Sequence, residues 1–309
     1  MTLLKEQADF GWILPTGRQR MPAKSALYLS HVQDILDKIG NCFHSAWIPD
    51  HLMAGKTDLP ESFVTLSYLA GQFPELFFGT IVTCQSFRNP ALLAKMASTL
   101  QQMSAGRFVL GLGAGWNVEE YQAYGYVFPQ ASTRIAQMAE TIQICKALWD
   151  PTQDESTFVG EYYQINQATC FPKPSLPPPL MVGGGGEKLT LQVVAQHADW
   201  WNLPGASLDD FARKTKILEG YCQEIGRSTS DIRKSWMGNV SIAHTKQEAE
   251  EKMMSYDSWP GDVALLGTPV EIWDQISAYI ELGVDLFILR FVDEPEVSGI
   301  ELFQSHVLG

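Results

Sequence analysis

Three short stretches carry residues able to do chemistry. In Trp47-Ile-Pro-Asp-His51 a histidine directly follows an aspartate. Histidine exchanges protons near neutral pH, and Asp50 beside it is a candidate to hold its orientation; the plainer reading is an ordinary loop histidine. In Leu180-Met-Val-Gly-Gly-Gly-Gly-Glu-Lys188 four consecutive residues lack a Cβ, between a short apolar run and a helical pattern. Backbone without side chains lets an anion approach, and the N–H groups of a helix starting near Glu187 would point at it. Gly183, Gly184, Gly185 and Gly186 therefore read as a phosphate cradle with Lys188 adding charge, against the alternative of a flexible turn. In Arg107-Phe-Val-Leu-Gly-Leu-Gly-Ala-Gly-Trp116, Gly111, Gly113 and Gly115 alternate along a strand end. Either something flat or bulky lies against that backbone, or the strand is tightly packed. Asn117, Glu119 and Glu120 follow; acids in a first helical turn complement its dipole, so both glutamates read as structural.

Other chemistries are excluded. His31, His44, His197, His244 and His306 stand isolated, with no H-x-H or H-x-x-x-H pair for a catalytic metal. No G-x-S-x-G elbow supports a serine hydrolase. No G-x-x-x-x-G-K-[ST] marks a P-loop, and G-L-G-A-G-W fails the dinucleotide spacing. A net charge of −13 without a Lys/Arg block argues against nucleic acid and anionic membranes. Cys42, Cys84, Cys145, Cys170 and Cys222 form no C-x-x-C pair and read as free thiols of a reducing compartment. The opening MTLLKEQADF lacks an apolar signal core, and no apolar run reaches the roughly 18 residues of a membrane span. The expectation is a cytoplasmic chain.

The elements that must position these residues alternate in kind. Short apolar runs occur at Asp9–Leu14, Phe43–Ile48, Leu76–Thr83, Arg107–Gly113, Leu180–Val182, Ala198–Leu203, Ser235–Ala243 and Leu286–Phe291. Continuous apolar runs of this length are typical of parallel strands buried on both faces. Helical patterns separate them. Asn89-Pro90 reads as an N-cap with Pro at N1, then Leu92, Leu93, Met96, Ala97 and Leu100 as one apolar face, with Gly106 as the stop. Leu191, Val194, Ala195 and Ala198 share a face, as do Ile272, Ile276 and Ile280 before Gly283. Eight strands alternating with helices over 309 residues predict one (β/α)8 TIM-barrel domain over 1–309, with a doubly wound open sheet as the alternative. Pro151 to Pro179 is an excursion before strand 5, with a hairpin at Phe158–Ile165 and a stiff PKPSLPPP approach. The glycine run then falls at a strand's C-terminal end, where barrel enzymes keep their sites.

The stretch Arg107-Phe-Val-Leu-Gly-Leu-Gly-Ala-Gly-Trp-Asn-Val-Glu-Glu-Tyr-Gln-Ala-Tyr-Gly-Tyr-Val-Phe-Pro129 resembles the signature of the bacterial luciferase-like family, most closely its branch using the deazaflavin coenzyme F420. Pro49-Asp-His51, Gly79-Thr-Ile-Val-Thr83, Phe87-Arg-Asn-Pro90, Gly183–Gly186 and Ala198-Asp-Trp-Trp-Asn202 stand in the family's order, so the resemblance spans nearly the whole chain. It implies a TIM barrel with an excursion before the fifth strand. It also implies that Gly183–Gly186 hold the coenzyme's phosphate and that Ile81 and Val82, at a bulge often carrying a non-prolyl cis peptide, back its ring. Ala114 would lie near the ring, Asn117 would reach its polar edge or cap a helix, and Asp50 counts among the coenzyme's surroundings. His51 matches a histidine close to the hydride-accepting carbon, assisting proton movement.

The chain also departs from the family. Its sugar-phosphate dehydrogenases place a catalytic glutamate where this chain has Ala114, which counts against that substrate. Trp12 and Trp116 would instead line an apolar substrate pocket, or simply pack. An acidic chain repels the anionic tail of F420, so the site must be locally positive or neutral. Three readings follow: an F420-dependent oxidoreductase acting on a small molecule, an FMN-dependent monooxygenase, and a flavin-binding barrel without turnover. Family members are often dimers, so a homodimer is the implied assembly.

Overall fold

The computed structural model describes residues 4–16, 28–40, 42–55, 58–256 and 263–309. Its strands are β1 (Asp9–Ile13), β2 (Ser45–Ile48), β3 (Phe77–Thr80), β4 (Thr83–Cys84), β5 (Phe108–Gly113), β6 (Glu155–Val159), β7 (Gln164–Thr169), β8 (Leu180–Gly183), β9 (Trp200–Pro204), β10 (Arg233–Ile242), β11 (Leu265–Gly267) and β12 (Leu286–Phe291). Helices α1 (Tyr28–Ile39), α2 (Ser62–Ala70), α3 (Pro90–Met103), α4 (Val118–Ala123), α5 (Ala131–Trp149), α6 (Thr190–His197), α7 (Leu208–Glu224), α8 (Lys246–Met254), α9 (Pro269–Glu281) and α10 (Ser298–Phe303) lie between and after them.

Eight strands pair in parallel in the order β1-β2-β3-β5-β8-β9-β10-β12, and β12 returns to β1 with Asp9 opposite Leu286. The closed (β/α)8 barrel is therefore present, and the open-sheet alternative is not. Each of the eight apolar runs contributes one of these strands. β6 and β7 form an antiparallel hairpin in the expected excursion. The Glu140 carboxylate of α5 pins its turn by accepting the amides of Glu161 at 2.6 Å and Tyr163 at 2.9 Å.

Alternation along each strand divides the core in two. Phe10, Trp12 and Leu14 of β1 and its end face the helices, as do Phe287, Leu289 and Phe291 of β12. Ile13, Trp47, Val109, Met181, Leu286 and Ile288 fill the barrel interior. The helices cover the outer layer largely as their periodicity predicts. Asn89 caps α3, its Oδ1 accepting from the amide of Ala91 at 2.9 Å. Leu92, expected on the buried face of that helix, is instead 54% exposed; Leu93, Ala94, Ala97 and Leu100 carry the face, so the true stripe runs one position later.

One further expectation is met and two need correcting. The third apolar run breaks into β3 and β4 around a cis Ile81–Val82 bond, at the bulge implied by the family resemblance, and β4 pairs with the end of β5. The Thr80 hydroxyl fixes the break, donating to the Gly111 carbonyl at 2.9 Å and accepting from the Thr83 hydroxyl at 2.9 Å. The helix after the glycine run begins at Thr190 rather than near Glu187. β11, a short strand beside β10, lies outside the eight-run pattern. All five cysteines are free, and among the described residues no helix is long and apolar enough to cross a membrane.

Candidate active site

A cavity of about 610 Å³ opens at the C-terminal ends of the barrel strands. Its wall brings together Asp50, His51, Ile81, Val82, Ala114, Trp116, Asn117 and Gly183–Gly186, so eleven of the thirteen positions singled out in the sequence meet at one place, Lys188 and Trp12 being the exceptions. Trp12 does not join them. It is fully buried in the layer between barrel and helices, where its indole N–H donates to Glu294 Oε1 at 2.7 Å. The reason is parity: Gly11 and Ile13 point into the barrel, so Trp12 must point out. Trp116, 53% exposed at the cavity mouth, meets the His51 ring edge-on at 5.7 Å between centroids.

His51 is oriented by a different carboxylate from the one its neighbour suggested. Asp50 accepts from Arg88 Nη1 at 2.6 Å and Nη2 at 2.9 Å, from the Ser62 hydroxyl at 2.6 Å and from the Cys84 amide at 3.0 Å. With both oxygens spent there, Asp50 ties together the loop after β2, α2, β4 and the segment before α3. The His51 ring turns the other way, and its Nδ1 lies 2.9 Å from Glu120 Oε2. Glu120 Oε1 accepts the amides of Leu52 at 2.7 Å and Met53 at 3.2 Å. Burial alone would raise the Glu120 pKa, but the His51 ring and these two amides outweigh it and hold the carboxyl below its ordinary range. An ionised Glu120 can only accept, so Nδ1 carries the proton and Nε2 is the ring nitrogen left for a ligand. Glu120, read from sequence as a structural dipole partner, thus also orients His51; Glu119, one residue earlier, is exposed. Asn117 occupies the N-cap position of α4 but its side chain makes no capping hydrogen bond, and it stays in the cavity wall.

The two glycine clusters share one neighbour, Val82, which a Cβ at Gly183 would meet at 2.8 Å, and differ in the others. A side chain at Gly113 would come within 2.5 Å of Val82 Cγ2, and one at Gly111 would run into the Thr80 carbonyl. What lies against that strand is therefore the chain's own β3–β4 break, which sets Val82 as a wedge behind the cavity. At Gly185 a Cβ would instead come within 2.5 Å of Leu203 Cδ1 and 2.7 Å of Lys214 Nζ, and at Gly186 within 2.7 Å of Thr190 Oγ1. Gly184, at φ +126°, is anchored on both sides: its amide donates to the Asn202 carbonyl at 3.0 Å and its carbonyl accepts the Trp201 indole at 2.9 Å. Lys188 is exposed and outside the wall. Lys214 of α7 supplies the cation beside the loop, while Arg213 is engaged by Glu187 and by Asp210, the latter at 2.6 Å. Cys84, also in the wall, contacts the Tyr121 hydroxyl at 3.1 Å; burial first of all pushes its thiol up to about 11, which removes thiolate chemistry near neutral pH.

Glu120, Thr190, Lys214, Asn202, Met237 and Arg290 escaped the sequence reading. For Arg290 a signal existed, a single charge inside the apolar run Leu286–Phe291. For Glu120 there was none, because it lies 69 residues from His51. The arrangement fits a phosphorylated coenzyme with a flat ring: a side-chain-free cradle with an ammonium and a hydroxyl beside it, an aliphatic backing at Val82, and a volume within the common range for ligand sites.

The chain as a whole is similar to known proteins. Residues 8–262 match the sequence profile of luciferase-like monooxygenases. The chain is 30% identical over 299 residues to the F420-dependent glucose-6-phosphate dehydrogenase of Amycolatopsis mediterranei, covering 85% of this chain and 89% of that one. It is 27% identical to the FMNH(2)-dependent dimethylsulfone monooxygenase of Pseudomonas putida, over 71% of this chain and 70% of that one. Its fold superposes on an F420-dependent secondary alcohol dehydrogenase solved with an F420–acetone adduct, with a TM-score of 0.81 at 20% identity over 97% of this chain and 98% of that one. At that identity the likeness concerns the fold alone.

Proposed function

The chain belongs to the luciferase-like monooxygenase family, and from that premise we propose that it is an oxidoreductase moving hydride between F420 and a small organic substrate. Relatives of both kinds occur: the Amycolatopsis protein, matched over 89% of its length, is F420-dependent, and the Pseudomonas protein, matched over 70% of its length, is FMNH(2)-dependent. The observation that carries the reading is the His51–Glu120 pair in the same cavity wall as the glycine loop. When bound, the coenzyme supplies a tricyclic ring that takes or gives hydride. Gly183–Gly186 would hold its phosphate with Thr190 and Lys214 alongside, Val82 and Ile81 would back the ring, and Ala114 and Asn117 would flank it. His51 exchanges a proton with substrate through Nε2, Glu120 keeps the ring in the required tautomer, and Trp116 closes the mouth. Ala114 offers no carboxylate, so sugar-phosphate oxidation by the route of the family's glutamate-bearing members is not proposed.

The test is titration of the protein with F420 and with FMN, followed by quenching of tryptophan fluorescence. F420 should bind in the micromolar range or tighter, and His51→Ala should slow its reduction or oxidation by about 100-fold while leaving its affinity within a few-fold. Unchanged rates in the variant would remove the catalytic role of His51. The Pseudomonas relative supports a second reading as an FMN-dependent monooxygenase. Tight FMN binding with no F420 binding would favour it.

A further inference from the structure

Arg290 is the feature of the cavity that the coenzyme reading does not use. Alternation along β12 sends Leu286 and Ile288 into the barrel interior, and Arg290 is the next inward position, at the mouth, where it forms part of the cavity wall. The other charges of that wall are matched: Asp50 by Arg88, and Glu120 by His51. Arg290 is not. Among the described residues it makes no ion pair, and its Nε is buried without a hydrogen-bond partner. Glu294, one turn of chain beyond, is 5% exposed and holds the Trp12 indole through Oε1. Burial raises its pKa to about 8, so near neutrality it is mostly protonated and leaves the guanidinium charge standing. A half-buried guanidinium in the cavity wall with no ion-pair partner among the described residues suits an anion with two oxygens in one plane. The surrounding wall offers Met237, Pro204 and Trp116, which suit the hydrocarbon body of such a ligand.

We propose that Arg290 is the anchor of a substrate subsite for a carboxylate-bearing small molecule. This assignment rests on the coenzyme reading only in sharing its cavity. In a chain of net charge −13, a carboxylate ligand needs such a local cation to be held.

The experiment compares benzoate and hexanoate with neutral benzamide and hexanamide by calorimetry, on wild-type protein with and without saturating coenzyme, and on Arg290→Met and Arg290→Lys. Wild type should prefer each carboxylate over its amide by at least about 10-fold. Arg290→Met should abolish that preference without changing amide affinity or coenzyme affinity, and Arg290→Lys should restore part of it. A wild type that does not distinguish carboxylate from amide overturns the proposal. So does an Arg290→Met protein whose loss falls on F420 or FMN, which would move Arg290 to the coenzyme, or a preference for inorganic phosphate over every carboxylate. Carboxylate binding that depends on Arg290 in a protein that takes up neither coenzyme would support this subsite and defeat the coenzyme reading.

Discussion

Glu120 and Glu294 are both withdrawn from solvent, at 2% and 5% exposure, yet their surroundings drive them to opposite charge states. Glu120 accepts from three groups, the His51 ring and the amides of Leu52 and Met53, and is held ionised. Glu294 has one donor among the described residues, the Trp12 indole, and Oε2 has none; its pKa rises to about 8. Burial penalises the charged form at both sites, and the number of donors decides whether the penalty is overcome. The first carboxyl can therefore position a base, whereas the second behaves near neutrality as a polar neutral group that keeps a neighbouring cation active.

The sharpest way to break this contrast is to empty the first site. Glu120→Ala should cost about 2–4 kcal/mol in urea unfolding, since two amides and a ring nitrogen lose their acceptor, and should lower kcat/KM by about 100-fold or more. Stability within about 0.5 kcal/mol of wild type would mean that those contacts are not made in solution. Glu120→Gln refines the result. Its carboxamide can still accept from the amides, so little stability should be lost, but the NH2 presented to Nδ1 would move the ring proton to Nε2. The rate should fall by about 10- to 100-fold, and 15N spectra of the His51 ring should show the other tautomer.

Glu294 supplies a pH prediction. Its folded pKa, about 8, lies above its usual 4.5, so between those values the folded protein holds a proton that the unfolded chain has released. Its contribution is fully present below that window and is lost as pH rises through it. Glu294→Gln removes the titration. At pH 8 the variant should be more stable than wild type by about 3–4 kcal/mol relative to the same comparison at pH 5. Arg290, Asp293 and Tyr28 also bear electrostatically on this carboxyl and stay in place in the variant. Parallel stability curves for the two proteins would mean that Glu294 is already ionised. Trp12→Phe should have the smallest effect, about 1 kcal/mol at neutral pH from the lost donor, and it should extend the wild-type decline to higher pH.

Much of this was legible in the residue order. The strand runs were clear because parallel strands buried on both faces read as unbroken apolar segments, and the place of the glycine run at the end of the fifth barrel strand followed from counting them. The same unbroken apolarity hid Trp12. Phe10-Gly-Trp-Ile-Leu14 shows no alternation, so its inward and outward faces cannot be told apart before the barrel is closed. The glycine clusters were recognised, but not which neighbour each one admits, because Val82 and Lys214 approach from other elements. Asp50 misled through adjacency: consecutive residues project in different directions, so His51 found its partner 69 positions away, on α4.

Closure of the barrel also gives the cavity a common dependence that no one element controls. Its wall is shared by the ends of β2, β5, β8, β9, β10 and β12, and the ring is sealed only when the last strand meets the first. A fragment ending before β8 would keep the proton-handling pair and lack the anion cradle, and one beginning at β8 would have the reverse. Ligand recognition in this protein should therefore appear late and all at once during folding, as a property of the completed circle.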